Sequence, residues 1–206
     1  MAILVACEES QTLTNMLRLA GFEAFSCDLK PCSGGHPEYH IQGDVLPLLS
    51  ERWDAVVAHP PCTYLSYAAQ HVWNSPGRSE LRQAALDFFI ACYNANSDFV
   101  AVENPCGYAN TAFMPATQTI HPYYFGDPYK KRTCLWLRGF PQLESLYHLD
   151  SALCPSWVYQ SYSNSGCRDR AEFRSKSFPG IARAMLNQWF LAPRGVQLDL
   201  FSCTKV

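Results

Sequence analysis

Two stretches of this chain carry side chains suited to covalent chemistry. In the first, Trp53-Asp54-Ala55-Val56-Val57-Ala58 runs into His59-Pro60-Pro61-Cys62-Thr63-Tyr64-Leu65-Ser66. The apolar run reads as a buried parallel strand, and the carboxyl end of such a strand is where open α/β sheets place their ligands. Two prolines remove backbone donors and fix φ, so the chain must leave the sheet stiffly and hold Cys62 in a defined direction. That suits a nucleophile, while the plainer reading is that Cys62 is one of ten cysteines, a residue type that commonly serves as buried filler. In the second stretch, Asp98-Phe99-Val100-Ala101-Val102-Glu103-Asn104-Pro105-Cys106-Gly107, another buried-strand pattern ends in a carboxylate and an amide. Two neighbouring strands then deliver a thiol and a carboxyl group to one rim.

The elements that position these groups can be read in chain order. Residues 2–6 form a short apolar strand; Ser10 is placed to cap a helix on which Leu13, Met16, Leu17 and Ala20 share a face before Gly21 ends it. Residues 23–26 read as a second strand that delivers Cys27-Asp28, and His40-Ile41-Gln42-Gly43-Asp44 brings out a further carboxylate. Acids at successive strand ends suit an adenosine ligand, one carboxylate accepting from ribose hydroxyls and another from the adenine amino group. The first turn, Ala6-Cys7-Glu8-Glu9-Ser10-Gln11-Thr12, has no glycine. The helix start still offers N–H groups to a ligand carboxylate, with Glu8 opposite an ammonium; alternatively Glu8 and Glu9 only complement the helix dipole. Residues 63–77, with Tyr64, Tyr67, His71, Trp73 and Asn74, show few apolar repeats and read as a mobile lid. A helix beginning at Ser79 then carries Leu81, Ala84, Ala85, Phe88, Phe89 and Cys92 as an apolar stripe facing the sheet.

At 206 residues, 48% hydrophobic and 17% charged, the chain has the composition of one globular domain, expected over 1–192 with a tail at 193–206. It has no apolar run of about 18 residues and no basic-then-apolar leader, so it reads as neither membrane-spanning nor secreted, and its cysteines as reduced cytoplasmic thiols. Cys32, His36 and His40 form a Cys-x3-His-x3-His array without a nearby fourth ligand, and no metal site is expected. A net charge of −2 argues against holding nucleic acid by charge alone. Any basic footprint is local: Lys130, Lys131, Arg132 and Arg138, or Arg168, Arg170, Arg174 and Lys176, each of which also reads as a solvated face.

Together the Pro-Pro-Cys and Glu-Asn segments resemble the nucleophile and glutamate motifs of the DNA cytosine-5 methyltransferases, in particular their short, phage-like members. The segment Tyr123-Tyr124-Phe125-Gly126-Asp127-Pro128, leading to Lys130-Lys131-Arg132-Thr133-Cys134-Leu135-Trp136-Leu137, is similar to the family's tyrosine-x-x-glycine-x-proline segment and basic strand. The family carries a glutamine and two alternating arginines there; this chain has Tyr129, Lys131 and Thr133 in register and Arg132 one residue out, aimed inward only if a bulge or shift turns it. The glycine-free first turn departs from the family's glycine-rich one. Residues 141–176 stand where the family inserts a large target-recognition domain, and are too short for one. Ser177-Phe178-Pro179 and the helix bearing Ile181, Met185 and Trp189 resemble the family's last helix, beside the cofactor pocket.

The resemblance implies a Rossmann-like S-adenosylmethionine-dependent methyltransferase fold: one mixed, mostly parallel sheet flanked by helices. It implies S-adenosylmethionine as cofactor, with Cys7, Glu8, Ser10, Asp28, Asp44 and Pro60 as contacts, and Cys62, Glu103, Asn104 and Arg132 as catalytic residues. A Cys62 thiolate adding to C6 of cytosine makes C5 a carbanion equivalent that accepts a methyl group. Glu103, its pKa expected to be raised by burial, donates to N3 and accepts from the exocyclic amine; Asn104 fixes the strand end; Arg132 bonds the carbonyl oxygen or a phosphate. The implied partner is DNA, with a pyrimidine nucleotide or single strand as an alternative substrate. A further alternative is a non-catalytic binding protein that kept the fold. Amino-methyltransferases also use a Pro-Pro pair, but follow it with an aromatic where this chain has Cys62.

Overall fold

The computed structural model describes residues 1–147, 149–157 and 177–192. The basic run at Arg168, Arg170, Arg174 and Lys176, the remainder of the 141–176 region, and the tail at 193–206 lie outside the described residues. Among the described residues seven strands, β1 (Ala2–Ala6), β2 (Glu23–Asp28), β3 (His40–Gln42), β4 (Ala55–Ala58), β5 (Val100–Pro105), β6 (Gln118–Ile120) and β7 (Thr133–Arg138), form one sheet in the order β3-β2-β1-β4-β5-β7-β6. The five strands from β3 to β5 run parallel, whereas β7 is antiparallel to both β5 and β6. The result is the expected α/β architecture, a mostly parallel mixed sheet compatible with a Rossmann-like fold. The winding reverses between β1 and β4, so the crevice at their carboxyl ends is a topological switch point.

Alternation along the strands sends side chains to two cores. Ile3, Val5, Val57, Ala101 and Leu135 meet α1 (Thr12–Leu19) through Leu13 and Leu17, and the C-terminal helix through Ile181, Ala184 and Met185. Leu4, Val56, Ala58, Val102 and Trp136 meet Leu86, Phe89 and Cys92 on the opposite face. Central strands covered on both faces must be apolar throughout, which is why they read as continuous apolar runs.

Short α2 (Leu46–Ser50) leads to β4, and α3 (Arg78–Tyr93) leads to β5. The α3 helix starts one residue earlier than expected, behind Gly77 at φ 70°. Its stripe is also narrower: Leu81 is 46% exposed and Ala84 is exposed, because only the part of α3 from Leu86 onward lies over the sheet. After α4 (Ala109–Ala112) the chain makes the β6–β7 edge and closes with α5 (Pro179–Met185), which continues as a π-helical segment, Leu186–Leu191. Gly180 lets α5 settle on the turn at Pro122–Phe125: a Cβ there would stand 2.3 Å from the Phe125 carbonyl oxygen. Asp127 Oδ2 accepts from the Gly180 N–H at 2.8 Å and fixes that approach.

Candidate functional site

The exits of β4 and β5 form the centre of the site. The β4–β5 ladder ends with Ala58 beside Val102; His59-Pro60 then leave the sheet, while Glu103-Asn104 run on beside them in β5, paired with Leu135 and Cys134 of β7. His59 Nδ1 and Glu103 Oε2 are 3.3 Å apart. Asn104 Nδ2 donates to the Pro60 carbonyl oxygen at 2.8 Å in a buried position. Asn104 thus pins the Pro60-Pro61 segment that leads to Cys62. Beyond the prolines the Cys62 carbonyl accepts from the Leu65 and Ser66 N–H groups at 3.1 and 2.9 Å, folding residues 62–66 into a tight turn.

The start of the segment read as a mobile lid is bonded to the loop that follows β5. Leu65 is fully buried, its carbonyl accepts from Tyr108 N–H at 2.7 Å, and Ser66 bridges to Gly107. Gly107 is required at this crossing, since a Cβ would lie 2.1 Å from the Leu65 oxygen. A 3₁₀ turn, Tyr67–Val72, follows, and the Arg82 guanidinium lies 5.1 Å from the Trp73 ring and 5.0 Å from that of Tyr108. The aromatics that gave this loop its low-periodicity look are the side chains that anchor it.

On the α1 and α5 side of the rim, Glu8, His59, Glu103 and Lys131 surround a cavity closed by Phe178, Ile181 and Met185. Its volume is about 30 Å³, room for about two waters. His59 and Glu103 side chains are 16% and 20% exposed and Lys131 is also half-buried, whereas Glu8 is buried. Burial pushes the Glu103 carboxyl up, but the His59 bond and the nearby Lys131 ammonium outweigh it and hold the group below the usual range. Burial pulls His59 down, yet Glu103 and then Glu8 outweigh it and raise the imidazole. The two shifts have opposite signs, and each favours the charged form of its group. This corrects the expectation that Glu103 is raised and protonated: a burial argument on Glu103 alone omits the two cations that other strands bring to it. His59 Nε2 is buried and has no hydrogen-bond partner among the described residues.

Models of known protein families and curated proteins were compared with this chain, and none matches.

The glycine-free first turn is built from two non-glycine residues in the left-handed region, Cys7 at φ 59° and Gln11 at φ 54°, a conformation that costs about 1–3 kcal/mol each unless the surroundings impose it. Here they do. Gln11, fully buried, donates to the His36 carbonyl at 2.7 Å and accepts from the His36 N–H at 3.1 Å. The reversal folds Glu8 under α1: Oε1 accepts from Leu13 N–H at 2.6 Å, and Oε2 from the Thr14 N–H at 3.2 Å and its hydroxyl at 2.7 Å. Glu8 rather than Ser10 caps the helix, and Ser10 Oγ turns to Thr12 Oγ1 at 3.0 Å. The helix start expected to receive a ligand carboxylate is thus filled by the protein's own carboxylate. Burial pushes the Glu8 carboxyl up, against the pull of His59 and of these donors.

Asp28 and Asp44 come to one part of the rim: burial first, then these two carboxylates, push the Cys27 thiol up to about 11. Asp28 Oδ1 accepts from Lys30 N–H at 2.9 Å and Asp44 Oδ1 from Leu46 N–H at 3.0 Å. Each leaves a second oxygen with no hydrogen bond among the described residues, a free acceptor. Cys7 lies near Asp28 but its thiol turns to Cys92; that contact and burial raise it strongly. Pro60 is buried and contributes its carbonyl to Asn104.

Arg132 is exposed and acts on Cys106 and His121 instead of Glu103. No bulge re-aims it. With Pro105 opposite Thr133, strand parity sends Lys131 to the face of Glu103 and Arg132 to the other, so Lys131 holds the position at which a basic residue meets the carboxylate. His36 pairs with Glu38, and His40 is bound by Ser26 Oγ and the Lys30 carbonyl; no group among the described residues could hold a metal ion, and none of their helices is long and apolar enough to cross a membrane. Sequence reasoning passed over His59 and Lys131. The signal for Lys131 was its register with Tyr129 and Thr133; for His59 it was a titratable residue at a strand's first step out of the sheet.

Proposed function

We propose that this protein transfers a methyl group from S-adenosylmethionine to C5 of cytosine in DNA through a Cys62 adduct. One observation carries the reading. Two neighbouring parallel strands run to one rim, β4 into His59-Pro60-Pro61-Cys62 and β5 through Glu103-Asn104, and consecutive side chains of the second hold consecutive residues of the first. The resemblance of these two segments, in this order, to the family's nucleophile and glutamate motifs supplies the chemistry.

Asp28 and Asp44 would hold the adenosine end of the cofactor, which when bound supplies the methyl group. The helix start does not fit its carboxylate, since Glu8 occupies those N–H groups. At the base, the Cys62 sulfur adds to C6, and charge moving into the ring is met at N3 and the exocyclic amine. Glu103, a carboxylate with His59 as its protonated partner, accepts from the amine, and the proton held on His59 passes through Glu103 to N3 as that charge develops. Lys131 lowers the cost of a carboxylate in this place. The net charge of −2 leaves substrate choice to local contacts, which keeps a single strand or a nucleotide beside duplex DNA as substrates to test.

The experiment is a covalent trap. Fluorine at C5 blocks the proton loss that releases product, so duplex, single-stranded and nucleotide forms of 5-fluorocytosine should become joined to the protein in a step requiring both S-adenosylmethionine and Cys62. Cys62→Ser should abolish the trap and keep cofactor binding, and Asp28→Ala with Asp44→Ala should weaken that binding by calorimetry. Methylated product forming at full rate in Cys62→Ala would refute the mechanism. A second reading, a binding protein without catalysis, is favoured by the filled helix start at Glu8; a cofactor complex with no trap on any pyrimidine would select it.

A further inference from the structure

The β5–β7 pairing sets Asn104 opposite Cys134 and Pro105 opposite Thr133. Cys106, one step past the strand, therefore lies on the same face as Cys134 and diagonal to it. The two sulfurs meet at 2.6 Å, about 0.6 Å beyond the ~2.05 Å of a disulfide bond. Cys134 is 1% exposed, whereas Cys106 is only half-buried, so an oxidant can reach one thiol and find the other already in contact. Polar groups surround the buried sulfur: Asn110 Nδ2 at 3.8 Å and Thr119 Oγ1 at 3.7 Å.

We propose that Cys106 and Cys134 form a reversible disulfide, a modification site independent of the methyl-transfer reading. The balance is that of a two-electron oxidation. A peroxide converts Cys106 to the sulfenic acid with release of water, and the Cys134 thiol then displaces hydroxide from that sulfur, giving the disulfide and a second water. A thiol reductant returns both thiols by exchange. Burial and the Cys134 contact push the Cys106 thiol up to about 12, with Arg132 pulling the other way; few thiolates exist at neutral pH, so the reaction is slow and accelerates in alkali. The bond would fasten the segment after Glu103-Asn104 to β7. The Cys106 carbonyl accepts from Tyr67 N–H at 3.3 Å and Gly107 bridges to Ser66, so the same segment carries the loop that follows Cys62.

The test is peroxide treatment of the folded full-length protein, followed by thiol titration in denaturant and peptide mapping without reductant. The titre should fall from ten thiols to eight, with a Cys106–Cys134 cross-linked peptide two hydrogens lighter than its parts, reversed by dithiothreitol. Cys106→Ser and Cys134→Ser should each retain nine thiols under the same treatment. A cross-link between Cys7 and Cys92 with Cys106 and Cys134 still reduced would overturn the proposal, as would oxidation of Cys106 to higher acids without a cross-link. Persistence of ten thiols under oxidation that exhausts a denatured control would overturn it too.

Discussion

Glu103→Gln tests the charge state of the rim. The substitution keeps shape and a hydrogen-bonding oxygen but removes the charge that His59 and Lys131 face. A hydrogen bond to a charged group contributes about 1.5–3 kcal/mol. At 3.3 Å and one-fifth exposure the lower part of that range applies, so the variant should lose about 1.5–2 kcal/mol near pH 6. The pH dependence follows from the two shifts. Glu103 is held below its ordinary value of 4.5, so its contribution is complete above pH 4.5 and is lost as pH falls through the lower, folded value. His59 is held above 6.5, so its contribution is complete below pH 6.5 and is lost as pH rises through the raised value. Both are present between pH 4.5 and 6.5, where the difference between wild type and variant should peak. In alkali the comparison becomes one between neutral-imidazole hydrogen bonds, and the difference should shrink to about 0.5–1 kcal/mol. Urea denaturation of both proteins at pH 5.5, 7 and 9 measures this directly. A difference that stays constant across the three, or grows with pH, would refute an imidazolium–carboxylate pair.

Other substitutions test the frame around it. Asn104→Ala leaves the Pro60 carbonyl without its buried donor and should cost about 1–3 kcal/mol in urea denaturation, with Cys62 becoming more reactive toward iodoacetamide as the Pro-Pro turn loosens. Glu8→Ala removes the acceptor of three donors at the start of α1, and the loss of so buried a cap should be about 2 kcal/mol, the upper end for capping residues, read as a lowered thermal midpoint. Gly107→Ala puts a methyl group against the Leu65 carbonyl and should cost about 1–3 kcal/mol, with faster proteolysis in residues 63–77. Lys131→Met should raise the Glu103 pKa, and Arg132→Met should leave it unchanged; carboxylate titration by NMR separates the two.

What was legible in this sequence was what short-range pattern controls. Strands β1, β4 and β5 are buried on both faces and show as unbroken apolar runs, and the His59-to-Ser66 and Glu103-to-Gly107 segments follow them directly. Edge strand β6, Gln-Thr-Ile, and α2, with a proline in its first turn, carry no such pattern; pairing with β7 and packing on α3 determine them. The cap of α1 was misread because Ser10 satisfies the local rule, while Glu8 reaches the helix only through the left-handed backbone at Cys7 and Gln11, which Gly34 permits by allowing Gln11 to approach within 2.5 Å of where its Cβ would be. Lys131 was in register all along, and parity outweighed residue type. The sign of the Glu103 shift was not legible from one strand, since His59 comes from β4 and Lys131 from the approach to β7.

Glu103 and Asn104 are successive residues, so their side chains leave opposite faces of β5. Glu103 reaches the His59 imidazole on the α1 face and Asn104 reaches the Pro60 carbonyl on the α3 side, so successive residues are held from opposite faces. Two such restraints, followed by a proline at Pro61 with fixed φ, leave little freedom before Cys62. Aim and chemistry are therefore coupled: a change at Glu103 alters the proton inventory and also releases one side of the clamp. Asn104 has no titratable group and releases only the other side. A defect shared by Glu103→Gln and Asn104→Ala belongs to the direction of the thiol, and a defect found in Glu103→Gln alone belongs to the proton that His59 and Glu103 hold between them.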